Sequence, residues 1–370
     1  MVARPPSGTK VDRKSRLQRW EIAQAGRTFE QVLARGADRP RPGFAGVVLV
    51  AISGVLFLLK LGLIVLALVI VVLSDAKLFS LFVVVPLLVA GVVPFVLVAR
   101  SAGHAVPVGP EDAPELYDFV RRIAAAEGAP MVRRISWDNE FNASASRGFR
   151  GHQLTIGMPL WLALRHEERV AMVAHELAHF RNGDPRRGWM VGLAMTQLRE
   201  WHRALKGVDG VVGLIAAVLA LPLLITERVL VRLSFVTSQR AEFHADAVAA
   251  SVASSAAMID TLAVTHAWQP TVTGAFQKAA RDGVDVWPVL TAAVAAVPAE
   301  ERDHRLAVAT ADQEVHSEST HPPTGHRIAV LSRHRADGDP LLRSAVVNGG
   351  AWLAGVQGEL SHLQRTGRRP

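Results

Sequence analysis

The sequence predicts an α+β protein that is mainly helical, with an N-terminal transmembrane helical hairpin followed by a part that contains a small β-sheet. Two almost wholly apolar segments, 44–74 and 78–99, indicate the hairpin. Helical patterns dominate the remainder, where only 134–137 and 152–157 have the composition of strands. With 370 residues and 50% apolar content, the chain can form both a membrane hairpin and a packed core.

The N-terminal region, 1–43, is a basic arm in front of the hairpin, 44–99. The arm carries ten Arg or Lys against four Asp or Glu, so the positive-inside rule predicts that it stays in the cytosol. About 20 apolar residues cross a bilayer core, and only residues 74–77 separate the two apolar segments. Two crossings therefore return the chain to the cytosolic side. We expect Lys60 in the first span to snorkel towards the cytosolic headgroups, and a functional intramembrane lysine is the alternative.

Charge and cysteine content narrow the possible partners. The chain has a net charge of +8, but the basic excess lies in the arm beside a membrane span, where anionic lipid explains it and no nucleic-acid partner is expected. Apolar side chains lie among the arginines of the arm, which leaves an interfacial helix and a disordered, solvated tail as open alternatives. The absence of cysteine excludes disulfides, thiolate metal sites and cysteine catalysis, and fits a reducing compartment.

The second part of the chain begins with an amphipathic helix and two short strands. Its periodicity predicts helices at 115–127, 158–182, 186–206 and 254–268. The acidic and polar segment 298–320 predicts a mobile loop. A C-terminal helix and tail, 341–370, follow.

One of these helices carries a pattern that suits metal chemistry, His175-Glu176-Leu177-Ala178-His179. Residues four apart lie one turn apart on the same helix face, so both imidazoles can bind one metal ion. Glu176 lies about 100° round the helix from His175, which lets it reach a metal-bound water as general base. An apolar stripe on the opposite face would bury the helix and direct the histidines into a cleft. A buried helix with two incidental surface histidines is the alternative.

A tetrahedral catalytic zinc site needs a third protein ligand, and two glutamates compete for this position. Glu200 lies between arginines, which favours a solvated ion pair. Glu242 and Asp246 lie four residues apart on one helix face, so one carboxylate can bind metal while the other accepts a hydrogen bond from a ligand imidazole. We therefore favour Glu242. His244 points to another side of that helix and is expected to be a bystander.

Four separated blocks of the sequence occur in the order of a known family. They are Asn142-Ala143 with the leucines that follow, 168–184 with both histidines, Glu242-Phe243-x-Ala245-Asp246, and Thr320-His321-Pro322-Pro323-Thr324 with Arg327 three residues on. Across roughly residues 110–335 the chain resembles the membrane-bound zinc metallopeptidases typified by HtpX and the CAAX prenyl endopeptidases, which are gluzincins. Gly325-His326 departs from the acidic residues that this family often carries there.

The resemblance implies a zincin-like metalloprotease domain, 100–340, that binds one Zn²⁺ ion per chain. The residues that match the family's site are His175, His179 and Glu242 as zinc ligands, Glu176 as general base, His321 as stabiliser of the oxyanion, Asp246 and Asp184 as carboxylates behind the ligands, and Asn142 and Ala143 as contacts of the substrate backbone. Two prolines after His321 hold it extended before a helix, where it can donate a hydrogen bond to developing negative charge. An exposed histidine at a helix start is the alternative.

A third apolar stretch, 211–225, lies between His179 and Glu242 and constrains the topology. A single crossing there would leave the predicted ligands on opposite sides of the bilayer. We therefore expect a membrane-associated helix, 210–237, that lies at the membrane surface or packs on the first two spans. A re-entrant hairpin is the alternative.

Together these features predict a zinc-dependent endopeptidase of the cell (inner) membrane, multi-pass, with a cytoplasmic catalytic domain in which Glu176 activates a zinc-bound water. Its expected partners are protein or peptide substrates, above all membrane proteins, and the lipid bilayer, and its expected role is membrane-protein quality control. Processing of prenylated peptides is the alternative, although two clear spans are too few for a large intramembrane chamber. A catalytically silent membrane scaffold of the same fold is the rival, against which an intact Glu176 argues.

Overall fold

The computed structural model describes residues 16–39, 43–73, 105–148, 151–206, 210–315, 321–343 and 350–366, together with scattered positions between 82 and 96. In these residues the protein is mainly helical with one small mixed sheet, as the sequence predicts. The helices are α1 (Arg16–Arg35), α2 (Phe44–Leu73), α3 (Pro114–Glu127), α4 (Met158–Ala163), α5 (His166–Asn182), α6 (Asp184–Lys206), α7 (Gly210–Val252), α8 (Ser255–Ala267), α9 (Gln269–Asp282), α10 (Val286–Ala295), α11 (Ala299–Ala311), α12 (Thr324–Arg333), α13 (Pro340–Arg343) and α14 (Gly350–Thr366). The strands are β1 (Val106–Val108), β2 (Val132–Asp138), β3 (Ala143–Gly148) and β4 (Gly151–Gly157).

Helix α2 is the first predicted span, and its surface needs a non-aqueous surrounding. Large apolar side chains such as Leu58 and Val72 are exposed, while Leu49 and Leu56 pack on α6 and α7. An exposed apolar surface of this extent marks a membrane or protein contact. Lys60 is fully buried on the packed face, so the expected snorkelling towards the headgroups is wrong. Most of the predicted second arm of the hairpin lies outside the described residues.

Helix α7 is a single rod of 43 residues. At 1.5 Å per residue it is about 65 Å long, roughly twice the thickness of a bilayer core. Among the described helices, α2 and α7 are long and apolar enough to cross a membrane. The alternative of a re-entrant hairpin at 211–225 is wrong, because α7 runs without reversal and packs against α2.

Helices α6 and α7 pack against each other, and the first residue of α6 lies near the last part of α7. Asp184, the first residue of α6, lies beside His179, and Glu242 lies in the last part of α7. The chain thus leaves the histidine helix along α6 and returns along α7. This path satisfies the requirement that both predicted ligand segments lie on one side of a bilayer.

The sheet has the strand order β1-β2-β4-β3, which leaves β3 at an edge. Strands β2 and β4 are parallel, and β1 and β3 are antiparallel to their neighbours. The sequence predicts β2 and β4 but not the outer strands, because β1 has three residues and β3 lacks the β-branched and aromatic residues typical of strands. Trp137 of β2 meets Trp161 of α4 edge to face, with 5.4 Å between ring centroids.

One part of the C-terminal region differs from the prediction, and the predicted C-terminal helix is present as α14. The mobile loop expected at 298–320 is wrong for its first half, which forms α11. Glu300 and Glu301 in the first turn of α11 favour the helix electrostatically, and Ala309 is buried in the core. Helix α14 also belongs to the domain core, because Leu360 is fully buried.

Helix α1 of the basic arm is docked on the rest of the protein. Its side chains Ala25 and Thr28 are buried, and the helix packs against α7 and α12. Trp20 contacts Phe235 of α7, with ring centroids 6.4 Å apart. The alternative of a disordered tail is therefore wrong for 16–35.

Candidate metal centre

Helix α5 presents the His-Glu-x-x-His pattern, and its ends are defined by local interactions. The Arg165 backbone N–H donates to Glu168 Oε2 at 2.6 Å, which closes the first turn. Gly183 ends the helix with a φ of 72°, a conformation that favours glycine, and this turn brings Asp184 to the side chain of His179. The apolar stripe on the opposite face is buried, as the sequence predicts: Val170, Val173, Leu177 and Phe180.

Three donor atoms from α5 and α7 converge on one point. His175 Nε2 lies 3.3 Å from His179 Nε2, and Glu242 places its two carboxylate oxygens each 3.5 Å from one of these nitrogens. A tetrahedron with ligand bonds of about 2.0–2.1 Å has edges of about 3.3–3.4 Å. The donor types and spacing therefore fit a tetrahedral metal ion. Within the described residues, these three side chains form a group that could hold one.

Carboxylates lie behind both imidazoles. His175 Nδ1 is 3.1 Å from Asp246 Oδ1, and His179 Nδ1 is 3.0 Å from Asp184 Oδ2. Because a carboxylate only accepts hydrogen bonds, these positions suit imidazoles that are protonated on Nδ1 and direct Nε2 to the point where the donors converge. Asp246 in turn accepts two hydrogen bonds from the Arg327 guanidinium, at 2.7 and 2.6 Å.

The buried charges at this point favour a cation. Burial alone would lower the pKa of His175, but Asp246 and Glu242 raise it to about 10. Burial would raise the pKa of Glu242, yet His321, His175 and His179 hold it well below its ordinary range. The surroundings therefore stabilise positive charge beside an ionised carboxylate, whether a proton or a metal ion supplies that charge.

Glu176 differs from the other carboxylate at the site. Burial raises its pKa, and the neighbouring His175 and His179 offset only part of this effect. Its side chain is half-buried and lines the same cleft as His175. A carboxyl group with a raised pKa is better suited to take up a proton and return it than one with an ordinary pKa.

His321 lies at the mouth of the site, immediately before α12. Its Nδ1 is 2.7 Å from Glu242 Oε2, and its side chain is 56% exposed. The Arg327 guanidinium reaches the same oxygen at 3.5 Å. The structure thus places His321 against the carboxylate of Glu242, at a cleft that also exposes Glu176.

A cleft of about 310 Å³ opens beside these residues. Asn142 and Ala143 line it at the start of the edge strand β3. Among the other lining residues are four apolar side chains and two acidic ones: Leu160, Met172, Met258, Leu262, Asp312 and Glu314. Leu160 and Met172 lie within two of the matching sequence blocks, but Met258, Leu262, Asp312 and Glu314 were not predicted, because they come from separate elements and share no local spacing.

Two residues weighed in the sequence lie outside the group of donors. Glu200 forms an ion pair with Arg203 one turn further along α6, as expected for a solvated pair. His244, two residues after Glu242, directs Nδ1 to the carbonyl oxygen of Ala37 at 3.1 Å. His244 therefore contacts the N-terminal arm.

The sequence model of peptidase family M48 matches residues 110–335, which include every element of the candidate metal centre. No solved structure matches the chain.

Several curated proteins resemble parts of the chain. A Protease HtpX homolog of Pelotomaculum thermopropionicum is 38% identical over 89 residues, which are 24% of this chain and 32% of that protein. Protease HtpX homolog 1 of Sulfolobus acidocaldarius is 30% identical over 150 residues, 40% of this chain and 47% of that protein. Protease HtpX of Xanthomonas campestris is 36% identical over 102 residues, 26% and 33% of the two chains. The matches thus span less than half the length of these relatives.

Proposed function

Because this chain belongs to peptidase family M48, we propose that it is a zinc-dependent endopeptidase of the cell (inner) membrane. The observation that carries the proposal is the convergence of His175, His179 and Glu242 at the spacing of a tetrahedral site. The imidazoles and the carboxylate are the donor types that zinc prefers in hydrolytic sites. One Zn²⁺ ion per chain is expected.

Each residue around the ion has a separate role in peptide-bond hydrolysis. When bound, zinc polarises the scissile carbonyl and lowers the pKa of a water molecule. Glu176 accepts the proton of the attacking water and returns it to the leaving amine, a task that its raised pKa supports. His321 donates a hydrogen bond to the oxyanion that develops on the scissile carbonyl. Asp246 and Asp184 hold the ligand imidazoles in the orientation that the ion needs.

The cleft beside the ion is proposed to bind an extended peptide. The edge strand β3 offers backbone groups for pairing with a substrate strand, and Asn142 and Ala143 lie where that strand begins. Apolar walls such as Met172 and Leu262 suit an aliphatic or aromatic substrate side chain. This combination favours protein or peptide substrates, including the apolar segments of membrane proteins.

The position of the site relative to the membrane is proposed from three helices. The apolar surface of α2 and the first part of α7 would lie in the bilayer. The basic arm packs directly on the end of α7 and on α12, so the arm and the metal centre share one side. The positive charge of the arm favours the cytosolic side. We therefore place the catalytic domain in the cytoplasm and propose quality control of membrane proteins as its role.

The proposal is tested with the purified full-length protein and its Glu176→Gln variant. The variant keeps all three donors and is expected to retain zinc but to lose casein hydrolysis by roughly two orders of magnitude or more, because the general base is removed. Glu200→Ala is the matched control, since it changes a glutamate of a neighbouring helix outside the group of donors, and it should retain activity.

A silent membrane scaffold predicts another result. Wild type and Glu176→Gln would then hydrolyse casein and a membrane-protein substrate equally slowly while both bind zinc. Equal activity of the two proteins would contradict the proposed enzyme. Cleavage restricted to prenylated peptides would instead favour a CAAX-type processing protease.

A further inference from the structure

Helix α1 lies outside the residues that the family matches, 110–335, yet it contacts the elements that build the metal centre. It packs on the last part of α7, which carries Glu242 and Asp246, and on α12, which carries Arg327. The segment after α1 also reaches the end of α5. The arm is therefore an addition to the family domain, placed directly behind its site.

The first contact is between α1 and α12. The Phe29 ring stacks on His326, with 4.1 Å between centroids and an angle of 11° between planes. The next residue, Arg327, forms the two hydrogen bonds to Asp246 that lie behind His175. At the far end of α12, His334 Nε2 donates to the Leu33 carbonyl oxygen at 2.9 Å. Both ends of α12 are thus attached to α1.

The second contact is between the segment that follows α1 and the two ligand helices. The Ala37 carbonyl accepts a hydrogen bond from His244 Nδ1 at 3.1 Å, and His244 lies midway between Glu242 and Asp246. The Arg39 guanidinium donates to the Arg181 carbonyl oxygen at 2.8 Å, one residue before the end of α5. The arm therefore joins α5, α7 and α12 from one side.

The interface is buried but sparsely hydrogen-bonded. The carboxylate of Glu21 and the hydroxyl of Thr28, both on α1, are buried and have no hydrogen-bond partner among the described residues. Such groups lower the stability of the docked state. The contacts at Phe29 and at Ala37 hold α1 in place together with those of Trp20 on Phe235 and of Gln31 with Arg240.

We propose that α1 is a positioning element of the metal centre, which retains the ion by holding α12 against the end of α7. Ile328 and Leu331 keep α12 in the core, but release of α1 loosens its first turn, and Arg327 then fixes Asp246 and the carboxylate of Glu242 less firmly. Phe29 and His244 are the positioning residues. The inference rests on the metal centre of the proposed function.

The test uses full-length protein purified in detergent and loaded with zinc. Phe29→Ala removes the stacked ring, and His244→Leu removes the donor to Ala37. Arg27→Ala is the matched control, because Arg27 is exposed on the same helix and bonds only within it, to Gln24, among the contacts of the described residues. Phe29→Tyr and His244→Asn restore a ring and an N–H donor and should rescue the two losses.

Two quantities are measured. One is the rate at which a chelator removes zinc, and the other is amide hydrogen exchange in 239–246 and 321–334. Removing a group that contacts a metal ligand typically lowers metal affinity about 10–100-fold. Phe29 and His244 act on such groups and not on the ligands, so their variants are expected to release zinc about 3- to 10-fold faster than the wild type. Amide exchange should rise in both segments, and the rescue variants should behave as the wild type.

The inference is overturned if Phe29→Ala and His244→Leu match Arg27→Ala in both measurements. It is also overturned if all three variants lose zinc and melting temperature to the same extent, since that indicates general destabilisation. Failure of the proposed function looks different. A wild type without peptidase activity would contradict the enzyme, while variant-specific zinc release and exchange would still support the positioning role.

Discussion

The metal centre and the docking surface of α1 are both buried, but the two regions differ in how many hydrogen bonds a buried carboxylate receives. At the metal centre, Asp246 lies between His175 and Arg327, and its carboxylate accepts two hydrogen bonds from the Arg327 guanidinium. At the α1 surface, Glu21 is buried with neither oxygen hydrogen-bonded among the described residues, and Arg232 only partly compensates. The difference indicates a preorganised site beside a surface whose docking is only marginally favourable.

The largest effect is expected where the buried ion pair is broken. Arg327→Met leaves Asp246 buried without its guanidinium and should destabilise the protein by about 3–5 kcal/mol. Arg187→Met removes the comparable ion pair to Asp184, but Arg187 is partly exposed and its loss should cost only about 0–1 kcal/mol. Melting temperatures of the detergent-solubilised variants measure both effects. Equal losses would contradict the claim that burial makes the Arg327–Asp246 ion pair the stronger of the two.

A smaller and opposite effect is expected at the α1 surface. Burial raises the pKa of Glu21 above 4.5, with Arg232 offsetting part of the shift. The docked helix therefore favours the protonated form, and this stabilisation is lost as the pH rises through the raised pKa. Glu21→Gln should be more stable than the wild type by about 1 kcal/mol near neutral pH, and by less at pH 4.

That prediction is checked by the difference in melting temperature between Glu21→Gln and the wild type at several pH values. Glu30→Gln is the control, since Glu30 is an exposed glutamate of the same helix. The account of the α1 surface would be contradicted if the difference in melting temperature did not change with pH. It would also be contradicted if Glu21→Gln were less stable than the wild type at every pH.

The residues of the metal centre could be predicted from the sequence to a larger extent than the docking surface of α1. His175 and His179 are linked by helical spacing, and Glu242 and Asp246 by the same spacing on another helix, so each pair is a local pattern. The structure brings the two pairs within 3.5 Å of each other. Local periodicity predicted the helices that carry these pairs, and the resemblance to a family related the two helices to each other.

Contacts between distant segments had no such signal. Apolar residues among the arginines of α1 suit a lipid surface as well as a protein surface, so the docking on α12 could not be inferred. The helix α11 was missed because its exposed face is acidic, and β3 because its small residues have weak strand propensity. The buried position of Lys60 depends on which face of α2 packs, and composition alone does not determine this.

The most direct test of the account is the zinc content of purified wild type, Glu242→Ala and Glu200→Ala. The account predicts one zinc ion per chain in the wild type and in Glu200→Ala, and loss of zinc from Glu242→Ala while the protein remains folded, because a tetrahedral site needs all three protein ligands. Full zinc retention in Glu242→Ala, or its loss only from Glu200→Ala, would contradict the central claim.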